Sequence, residues 1–458
     1  MQSPRSTVRS SRLLSLVLAT LVATAFALVP AFGASASTAN GIADSTWSTN
    51  GSMFATVRYG NDLIIGGDFT TLRSTPGVPG GTTVQVNNLA MVDLSTGAAV
   101  TSFHPAVLEQ NFTPTKKALV RSLALVGNTL YVGGQFTSIN GQSHYNIAAM
   151  DLDPTLLTGS VDSTFNATVG VPGASNENTF FVYSIVPGTG GLFIGGAFTR
   201  VNGKAGHQKV AKLNWDGSVN TAFKAGAING AVRAITWSSD GQTLFVAGAF
   251  STFGGAAHQS IVRISPTTGA LDAWQIPAGQ VPIGGPSAPH YGMICWSLVA
   301  TSTRLFAGCG ETPNYDAAFR LDNGNSGDRT WLFGTSGNDQ AIALSQDGQS
   351  LYFGGHFGTY LTMSVCSGKY LKNLGILHNL YGFSTPTLDC NFLPQFWGPD
   401  PFGGVWTIQL IGSQVWAGGM FTMANCTMGP AHPGQPAAIG CPNGVAQRGI
   451  VRFSPPPV

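Results

Sequence analysis

The sequence predicts an all-β protein made of seven similar units, and three observations support this: the content of Gly and Pro, the scarcity of charged residues, and a recurring phrase. Gly (60) and Pro (26) together form about a fifth of the 458 residues, which favours turns. Charged residues amount to 9%, against roughly 25% in an average soluble domain. Three Glu in the whole chain are too few for exposed helical faces, which rely on Glu, Lys and Arg. Hydrophobic residues reach 43%, enough for a large core.

The third observation is a recurring phrase, an apolar strand followed by two glycines and an aromatic residue. We place its second glycine at positions 67, 134, 196, 248, 308, 355 and 419, a mean spacing of about 59 residues. Two glycines after a strand allow another backbone to approach closely, and we expect the following Phe to pack between units. The copies are Leu63–Thr70, Leu130–Thr137, Leu192–Thr199, Leu244–Ser251, Leu351–Gly358 and Gln414–Thr422, with a degenerate one at Leu305–Cys309.

Each copy contains further strand signals. A short apolar strand and a tight turn such as Gly127-Asn128 precede the phrase, which is typical of a hairpin. A third strand such as Val210–Asn214 follows it, and then a polar turn ends on an aromatic such as Phe223. Four strands in each of seven copies predict a seven-bladed β-propeller of four-stranded blades. A β-helix is disfavoured, because its coils are much shorter than this period.

The two ends of the predicted propeller match adjacent parts of one unit. Asp44–Trp47 matches the last element of a repeat, and Ile450–Phe453 matches the element before it. We therefore expect the N- and C-terminal strands to pair in one blade, which would close the ring and remove exposed sheet edges.

Two columns of residues in the first strand of each copy stand out. One is small (Thr56, Ser122, Ser184, Ala234, Ser297, Ala341 and Thr407), so we expect this strand to line the axis, where room is least. The residues just before it are Ala55, Arg121, Tyr183, Arg233, Trp296, Gln340 and Trp406. Aromatic faces suit sugar rings and Arg suits carboxylates or sulfates. Arg121, Tyr183, Arg233, Trp296 and Trp406 are thus candidate ligand-binding residues at one mouth of the channel, with packing between blades as the alternative.

These units resemble the delta-60 repeat family of secreted bacterial β-propellers. The family pattern is roughly an L-Y-V-G-G-x-F-T phrase, an N-G loop, an I-A-R-L strand and a D-G-S-x-D-x-x-F ending. The third copy matches it through Leu192–Thr199, Asn202-Gly203, Val210–Asn214 and Asp216–Asn220, followed by Phe223. The resemblance covers about residues 44–454. The fifth copy departs from the family pattern, because it has Gly308-Cys309-Gly310 where G-x-F is expected. The resemblance implies a fold and an extracellular setting, and it implies no catalytic residue.

The first 36 residues have the features of a secretory signal peptide. Arg5, Arg9 and Arg12 precede an apolar stretch, Leu13–Val29, and Ala34-Ser-Ala36 fits a cleavage site. A membrane anchor is the alternative, and Pro30 disfavours it. Residues 37–458 would then form a single exported β-propeller domain with no membrane span. Its 19 basic and 20 acidic residues give a net charge of −1, which offers no long-range attraction for nucleic acid. We expect a monomer.

Six cysteines lie in the last 164 residues, and an even number in an exported chain favours disulfides. No C-x-x-C spacing supports a zinc or redox site. We predict sequential pairing, because each bond would then link a local hairpin or loop. The pairs would be Cys295–Cys309, Cys366–Cys390 and Cys426–Cys441.

No catalytic, metal or cofactor motif emerges from the sequence. The acids lie mainly at turn positions. Asp339 and Glu311 do not fit this pattern, and they are the candidates for the pair of carboxylates that a glycosidase uses. There is no G-x-S-x-G and no nucleotide-binding glycine loop. We therefore expect a secreted or cell-surface module that binds an extracellular glycan or protein. The alternatives are a secreted polysaccharide hydrolase or lyase and a passive structural or adhesive module.

Overall fold

The computed structural model describes residues 44–74, 81–109, 117–170, 181–277, 293–310, 316–322, 329–335, 338–346, 348, 350–356, 362–365, 369–372, 380–384, 395–397, 404–424 and 445–454. The proposed signal peptide lies outside them. The described residues form strands, turns and irregular segments without a helix, and so without a helix that could cross a membrane.

The strands follow one another through the described chain as short antiparallel segments. The first part contains β1 (Ser48–Thr49), β2 (Met53–Tyr59), β3 (Asp62–Gly67), β4 (Thr71–Arg73), β5 (Thr83–Gln85), β6 (Leu89–Asp93), β7 (Val107–Leu108), β8 (Leu119–Val126), β9 (Thr129–Gln135), β10 (Ser138–Ile139), β11 (Gln142–Ser143), β12 (Ile147–Asp153) and β13 (Thr158–Val161). The middle part contains β14 (Val182–Gly188), β15 (Gly191–Gly196), β16 (Val210–Leu213), β17 (Val232–Trp237), β18 (Leu244–Gly248), β19 (Thr252–Phe253), β20 (Ala256–Ala257), β21 (Ile261–Ile264), β22 (Ile294–Ala300) and β23 (Arg304–Gly310). The last part contains β24 (Asp316–Asp322), β25 (Arg329–Thr335), β26 (Asn338–Leu344), β27 (Ser350–His356), β28 (Thr362–Val365), β29 (Lys369–Lys372), β30 (Leu380–Ser384), β31 (Gln395–Trp397), β32 (Val405–Ile411), β33 (Gln414–Gly419), β34 (Met423–Ala424), β35 (Val445–Ala446) and β36 (Ile450–Phe453).

Seven antiparallel hairpins form the repeated part of the structure. In each, a first strand pairs with a second strand that carries the glycine phrase, and a third strand pairs with the other edge of the second. The hairpins are β2/β3, β8/β9, β14/β15, β17/β18, β22/β23, β26/β27 and β32/β33. The β8 side chains alternate between buried and partly exposed, whereas β9 is buried almost throughout. The second strand thus lies at the centre of its sheet, as the apolar phrase requires.

The predicted fourth strand is present in three of the seven units, as β13, β25 and β31. In three others a single bridge takes its place: Val92↔Ala99, Leu213↔Val219 and Ile264↔Leu271. The β25 edge also pairs with β28, so that this sheet continues into the β28/β29 hairpin. The prediction of uniform four-stranded sheets therefore holds for part of the described chain.

In the seventh unit the first and last described segments of the chain meet at β36. Asp44 N donates a hydrogen bond of 2.8 Å to the Arg452 carbonyl. Arg452 Nε lies 2.7 Å from Asp44 Oδ2. The strand β1 itself pairs with β4 rather than with β36. Thr49 N also donates a hydrogen bond of 3.0 Å to the Arg448 carbonyl. The N-terminal segment thus contacts the last unit through separate hydrogen bonds, without the regular ladder predicted between the terminal strands.

The hydrophobic core lies between neighbouring hairpins, in clusters that each combine residues of two units. Phe136 packs with Ile64 and Met91 of the preceding unit, which is the position we predicted for the Phe of the phrase. In another cluster, Trp416 and Ile450 of the last unit pack with residues of the first.

The first strands contact one another in chain order, and β32 contacts β2. The order of contacts is therefore circular. Each hairpin needs both neighbours to cover its apolar faces, which is typical of repeat architectures.

Candidate functional site

Each of the seven first strands carries a β-bulge at its start. In β8, Val120 pairs with Gly134 and Ser122 pairs with Gly133, so Arg121 is the extra residue between them. The same register shift occurs in the other six hairpins. A bulge bends its strand and redirects the side chain of the extra residue. The bulge residues are Phe54, Arg121, Tyr183, Arg233, Trp296, Gln340 and Trp406.

The alignment of the seven internal copies was wrong by one residue in the first copy. The register shift in β2 lies between Met53 and Ala55, so Phe54 replaces Ala55 in the variable column and Ala55 replaces Thr56 in the small one. The spacing could have shown this, because Phe54 precedes Gly67 by 13 residues, as Arg121 precedes Gly134. In the fifth copy Gly308 pairs with Ser297, so Cys309 occupies the position of the second glycine.

The second glycine of the phrase is a direct consequence of the bulge. A Cβ added at Gly134 would lie 2.1 Å from the Leu119 carbonyl oxygen, and one at Gly196 would lie 2.0 Å from the Phe181 carbonyl oxygen. The bent first strand therefore places a backbone carbonyl where a side chain would begin. The phrase that identifies the repeat is thus the sequence of the strand that pairs with the bulged strand.

The first glycine has a different function, which is to admit the next unit. A Cβ at Gly66 would lie 2.4 Å from Val120 Cγ1, and one at Gly195 would lie 2.6 Å from Val232 Cγ1. The residue before each of these bulges therefore fills the space above the glycine of the preceding hairpin. Met53 fills the equivalent space at Gly418, which joins the first unit to the last.

All seven bulge residues line one cavity of about 220 Å³. The Arg121 guanidinium carbon lies 4.2 Å from the Phe54 ring centre and 4.6 Å from that of Trp406. The Arg233 guanidinium carbon lies 4.1 Å from the Tyr183 ring centre and 4.5 Å from that of Trp296. We call these seven residues the bulge ring. Side chains from different hairpins contact one another around this cavity.

The bulge ring also contains contacts between aromatic rings. The ring centres of Trp296 and Trp406 are 5.6 Å apart with an interplanar angle of 87°, and Phe54 lies 5.7 Å from Trp406 with an angle of 84°. These are edge-to-face arrangements, which aromatic pairs prefer over a face-to-face sandwich. Cations over aromatic faces and aromatic edges on faces together fix the orientation of the ring.

The cavity has a positive character. Burial lowers the pKa of Arg121 to about 10, and the neighbouring charge of Arg233 acts in the same direction. At this pKa the Arg121 guanidinium remains charged at neutral pH. Among the described residues that line the cavity there is no Asp or Glu. The two guanidinium groups lie over aromatic faces, and Asp68, the carboxylate whose charge acts on Arg121, is outside the lining of the cavity.

Several polar atoms of the bulge ring are buried without a hydrogen-bond partner. They are Arg233 Nε, Trp296 Nε1, Trp406 Nε1 and Gln340 Oε1. A buried donor left unpaired costs about 1–3 kcal/mol. Three of these four atoms are N–H donors that belong to side chains on the cavity wall, so the arrangement favours a group that accepts hydrogen bonds.

The structure brings all five candidate ligand-binding residues together and adds Phe54 and Gln340 to them. The bulge position was predictable from the sequence, because its residue type varies among the copies whereas the neighbouring small residues and the glycines of the phrase are similar in most copies. Phe54 was missed because the bulge offset was counted from the wrong residue.

One of the three predicted disulfides is present. Cys295 and Cys309 face each other across β22 and β23 and are bonded. The other four cysteines, Cys366, Cys390, Cys426 and Cys441, lie outside the described residues. Cys295 and Cys309 occupy the positions that Val120 and Gly134 have in the second unit. The disulfide therefore replaces a pairing of valine with glycine.

The acids considered for catalysis do not lie on the described cavity wall. Asp339 is completely buried beside the bulge of β26, where its backbone oxygen would be 2.8 Å from a Cβ at Gly308. Glu311 lies outside the described residues. Within the described chain, no three His, Cys, Asp or Glu side chains are grouped as a metal site would require.

No protein-family model and no curated protein matches the sequence. Among solved structures, the WD40 β-propeller domain of Doa1 aligns with 90% of this chain and 96% of its own, with a TM-score of 0.45 and 11% identity. Sqt1 from Chaetomium thermophilum aligns with 90% and 89%, with a TM-score of 0.43 and 12% identity. The extracellular domain of the putative one-component system BT4673 from B. thetaiotaomicron aligns with 90% of this chain and 39% of its own, with a TM-score of 0.42 and 12% identity. At these scores the similarities define neither fold nor function.

Proposed function

We propose that this chain is a binding module of the delta-60 repeat family, exported from the cell, in which seven blades form a closed β-propeller. The ligand is an extracellular glycan or a surface protein, and the bulge ring is the site that receives it. The observation that carries the proposal is the convergence of seven bulge side chains, one from each hairpin, on one cavity.

Contacts between the first and last units support closure into seven blades. Met53 fills the space at Gly418, and Trp416 packs in one cluster with Met53 and Leu63. Gln447 Nε2 donates to Thr46 Oγ1 over 3.0 Å. A ring closed by such contacts leaves no sheet at an open end.

The composition of the bulge ring supports binding. The seven strands that position it are similar to one another, yet the bulge position varies among aromatic, Arg and Gln residues. Variation on a constant scaffold is what recognition sites show. Aromatic faces and guanidinium groups suit sugars and anionic groups. Strands rather than loops hold these side chains, and six of the seven bulges lie opposite the second glycine of the phrase.

A passive structural module is the second candidate, and one observation favours it. The side chains of the bulge ring contact one another closely, as they would if they served to fill the axis of the molecule. Binding and filling make opposite predictions for truncation of the ring, because a filler contributes to stability and a binding residue contributes to affinity.

The experiment is to screen the purified protein on a glycan array while assaying for released sugar, with the wild type and a Trp296→Ala/Trp406→Ala variant. We expect the variant to lose binding and to keep a melting curve near that of the wild type. Trp215→Ala is the control, because Trp215 is a tryptophan at the surface. A variant that unfolds while the wild type binds nothing would support the structural role, and sugar release would support a hydrolase or lyase.

A further inference from the structure

The bulge ring combines two features that a neutral ligand would not need. Arg121 and Arg233 are two cations that contact a common neighbour, since their guanidinium carbons lie 5.7 Å and 4.1 Å from the Tyr183 ring centre. Among the described lining residues no carboxylate balances them. Two like charges enclosed in a cavity repel each other, and an oxyanion between them would remove that repulsion.

The N–H donors without a partner also favour a ligand that carries an oxyanion. Arg233 Nε, Trp296 Nε1 and Trp406 Nε1 are all N–H groups without a partner. An indole nitrogen and a guanidinium donate and cannot accept. A ligand that brings oxygen acceptors would therefore satisfy them, whereas a ligand group that brings hydrogen-bond donors would not.

The size and the walls of the cavity restrict the ligand further. A volume of about 220 Å³ is below the roughly 300–1,000 Å³ of pockets for drug-sized molecules. It suits one monosaccharide unit rather than a folded segment of a protein. Four of the seven bulge residues are aromatic, and they offer apolar faces to the C–H groups of a sugar, which an isolated acidic side chain would not use.

We propose, on the basis of the function proposed above, that the bulge ring binds a terminal sugar that carries an oxyanion, a carboxylate or a sulfate. The oxyanion lies between Arg121 and Arg233, and the sugar ring lies against the aromatic side chains. Trp296 and Trp406 turn their N–H groups towards its oxygen atoms. The guanidinium groups leave their present positions over the aromatic faces as the sugar enters.

The test is isothermal titration of the full chain with four matched sugars at one ionic strength: glucuronate, glucose 6-sulfate, glucose and the methyl ester of glucuronate. We expect the two anionic sugars to bind at least tenfold more tightly than the neutral ones. We also expect their affinity, and not that of the neutral sugars, to fall as NaCl is raised from 20 to about 300 mM.

Variants then locate the charge. Arg121→Gln and Arg233→Gln should each weaken the anionic sugars about tenfold to a hundredfold, as loss of a charge-assisted hydrogen bond does. Arg121→Lys should restore part of the affinity, because the charge remains and the planar fork is lost. Arg58→Gln is the matched control, since Arg58 is exposed and bonds to the Gly60 carbonyl of its own turn. Salt dependence is measured on the wild type, so recognition of the oxyanion is tested even if a variant does not fold.

Each other outcome has a distinct meaning. Equal binding of anionic and neutral sugars would overturn the oxyanion and leave the binding module intact. Binding of an Asp-rich peptide without any sugar would overturn the sugar and favour a protein partner. No binding by any probe, with intact melting curves for all variants, would overturn both this inference and the binding function of the ring.

Discussion

Thr56 Oγ1 lies 3.0 Å from Thr407 Oγ1, although 351 residues separate them in the chain. One belongs to the first strand of the first hairpin and the other to the first strand of the last. A hydrogen bond between two short side chains requires the two backbones to lie side by side. The contact therefore shows that the first and seventh hairpins are neighbours.

The ion pair at the chain ends gives a first test of this arrangement. Arg452 Nε bonds to Asp44 at 2.7 Å, and Arg452 Nη1 bonds to the Leu94 carbonyl at 2.8 Å. We expect Arg452→Gln to lower the free energy of unfolding by about 1–3 kcal/mol, because it leaves several polar groups without a partner. Chemical denaturation of the two proteins measures the difference.

A matched pair elsewhere in the chain controls for the loss of an ion pair as such. Arg263 and Asp272 are also 2.7 Å apart, and they lie nine residues from each other within one unit. We expect Arg263→Gln to cost less than Arg452→Gln, because it does not separate the first unit from the last. An equal loss in both variants would contradict a special role for the terminal contact.

The two glycines of the phrase should respond differently to the same substitution. In Gly196→Ala the new Cβ would meet the Phe181 carbonyl oxygen at 2.0 Å, whereas in Gly195→Ala it would meet the Val232 side chain at 2.6 Å. A side chain can rotate away and a backbone carbonyl in a paired strand cannot. We expect Gly196→Ala to lose about 2 kcal/mol or more and Gly195→Ala about 1 kcal/mol.

Thermal unfolding followed by circular dichroism measures both glycine variants. Ala247 is a natural control, since it occupies the first-glycine position in the fourth hairpin and faces the bulged strand without disrupting it. If Gly195→Ala proved as damaging as Gly196→Ala, the explanation of the phrase through the bulge carbonyl would be wrong.

Asp62 should make stability depend on pH. It is buried and pairs across strands with Asp93, and burial, followed by the charge of Asp93, raises the pKa of Asp62 above 3.8. The folded protein therefore binds a proton more tightly at this site than the unfolded chain does. This contribution is present at low pH and is lost as the pH rises through the raised pKa of the folded state.

We expect Asp62→Asn to stabilise the protein at pH 7 by about 0.5 kcal/mol, since like charges directly opposite each other in a sheet are unfavourable. The gain should disappear below about pH 3.8, where Asp62 is protonated in both states. Asp216→Asn is the control of opposite sign, because hydrogen bonds from Ser218 lower the pKa of Asp216. Melting temperatures at several pH values distinguish the two, and a destabilised Asp62→Asn at pH 7 would contradict the argument.

The disulfide of the fifth hairpin should contribute to stability without defining the fold. Cys295 and Cys309 are separated by 14 residues in the chain, and closing a loop of this length contributes about 3 kcal/mol. Cys295→Val/Cys309→Gly restores the residues found at these positions in β8 and β9, Val120 and Gly134. We expect this variant to fold, to melt below the wild type and to be insensitive to dithiothreitol.

The wild type supplies the comparison for the disulfide. Its melting temperature should fall on reduction to near that of the double variant. If reduction left it unchanged, the bond would add nothing beyond the packing that valine and glycine provide.

The repeat made most of the hairpins predictable. The strand–glycine–glycine–Phe phrase, the turn before it and the small column all lie within one unit, so their physical causes are local in sequence. The bulge register was harder to read. Whether Ala55 or Phe54 occupies the variable column depends on how β2 and β3 pair, and a shift of one residue changes which side chain turns towards the cavity. The disulfide Cys295–Cys309 was predictable because both residues lie in one hairpin.

The sequence alone determined that the chain is all-β, that its units repeat about every 59 residues and that one column of aromatic and Arg residues varies against a constant background. The tertiary structure decided that this column meets in one cavity, that Arg121 lies between Phe54 and Trp406 and that Met53 fills the space at Gly418. The reason is physical: strands and turns follow from patterns a few residues long, whereas the cavity forms from single residues that only the packing of whole hairpins brings together.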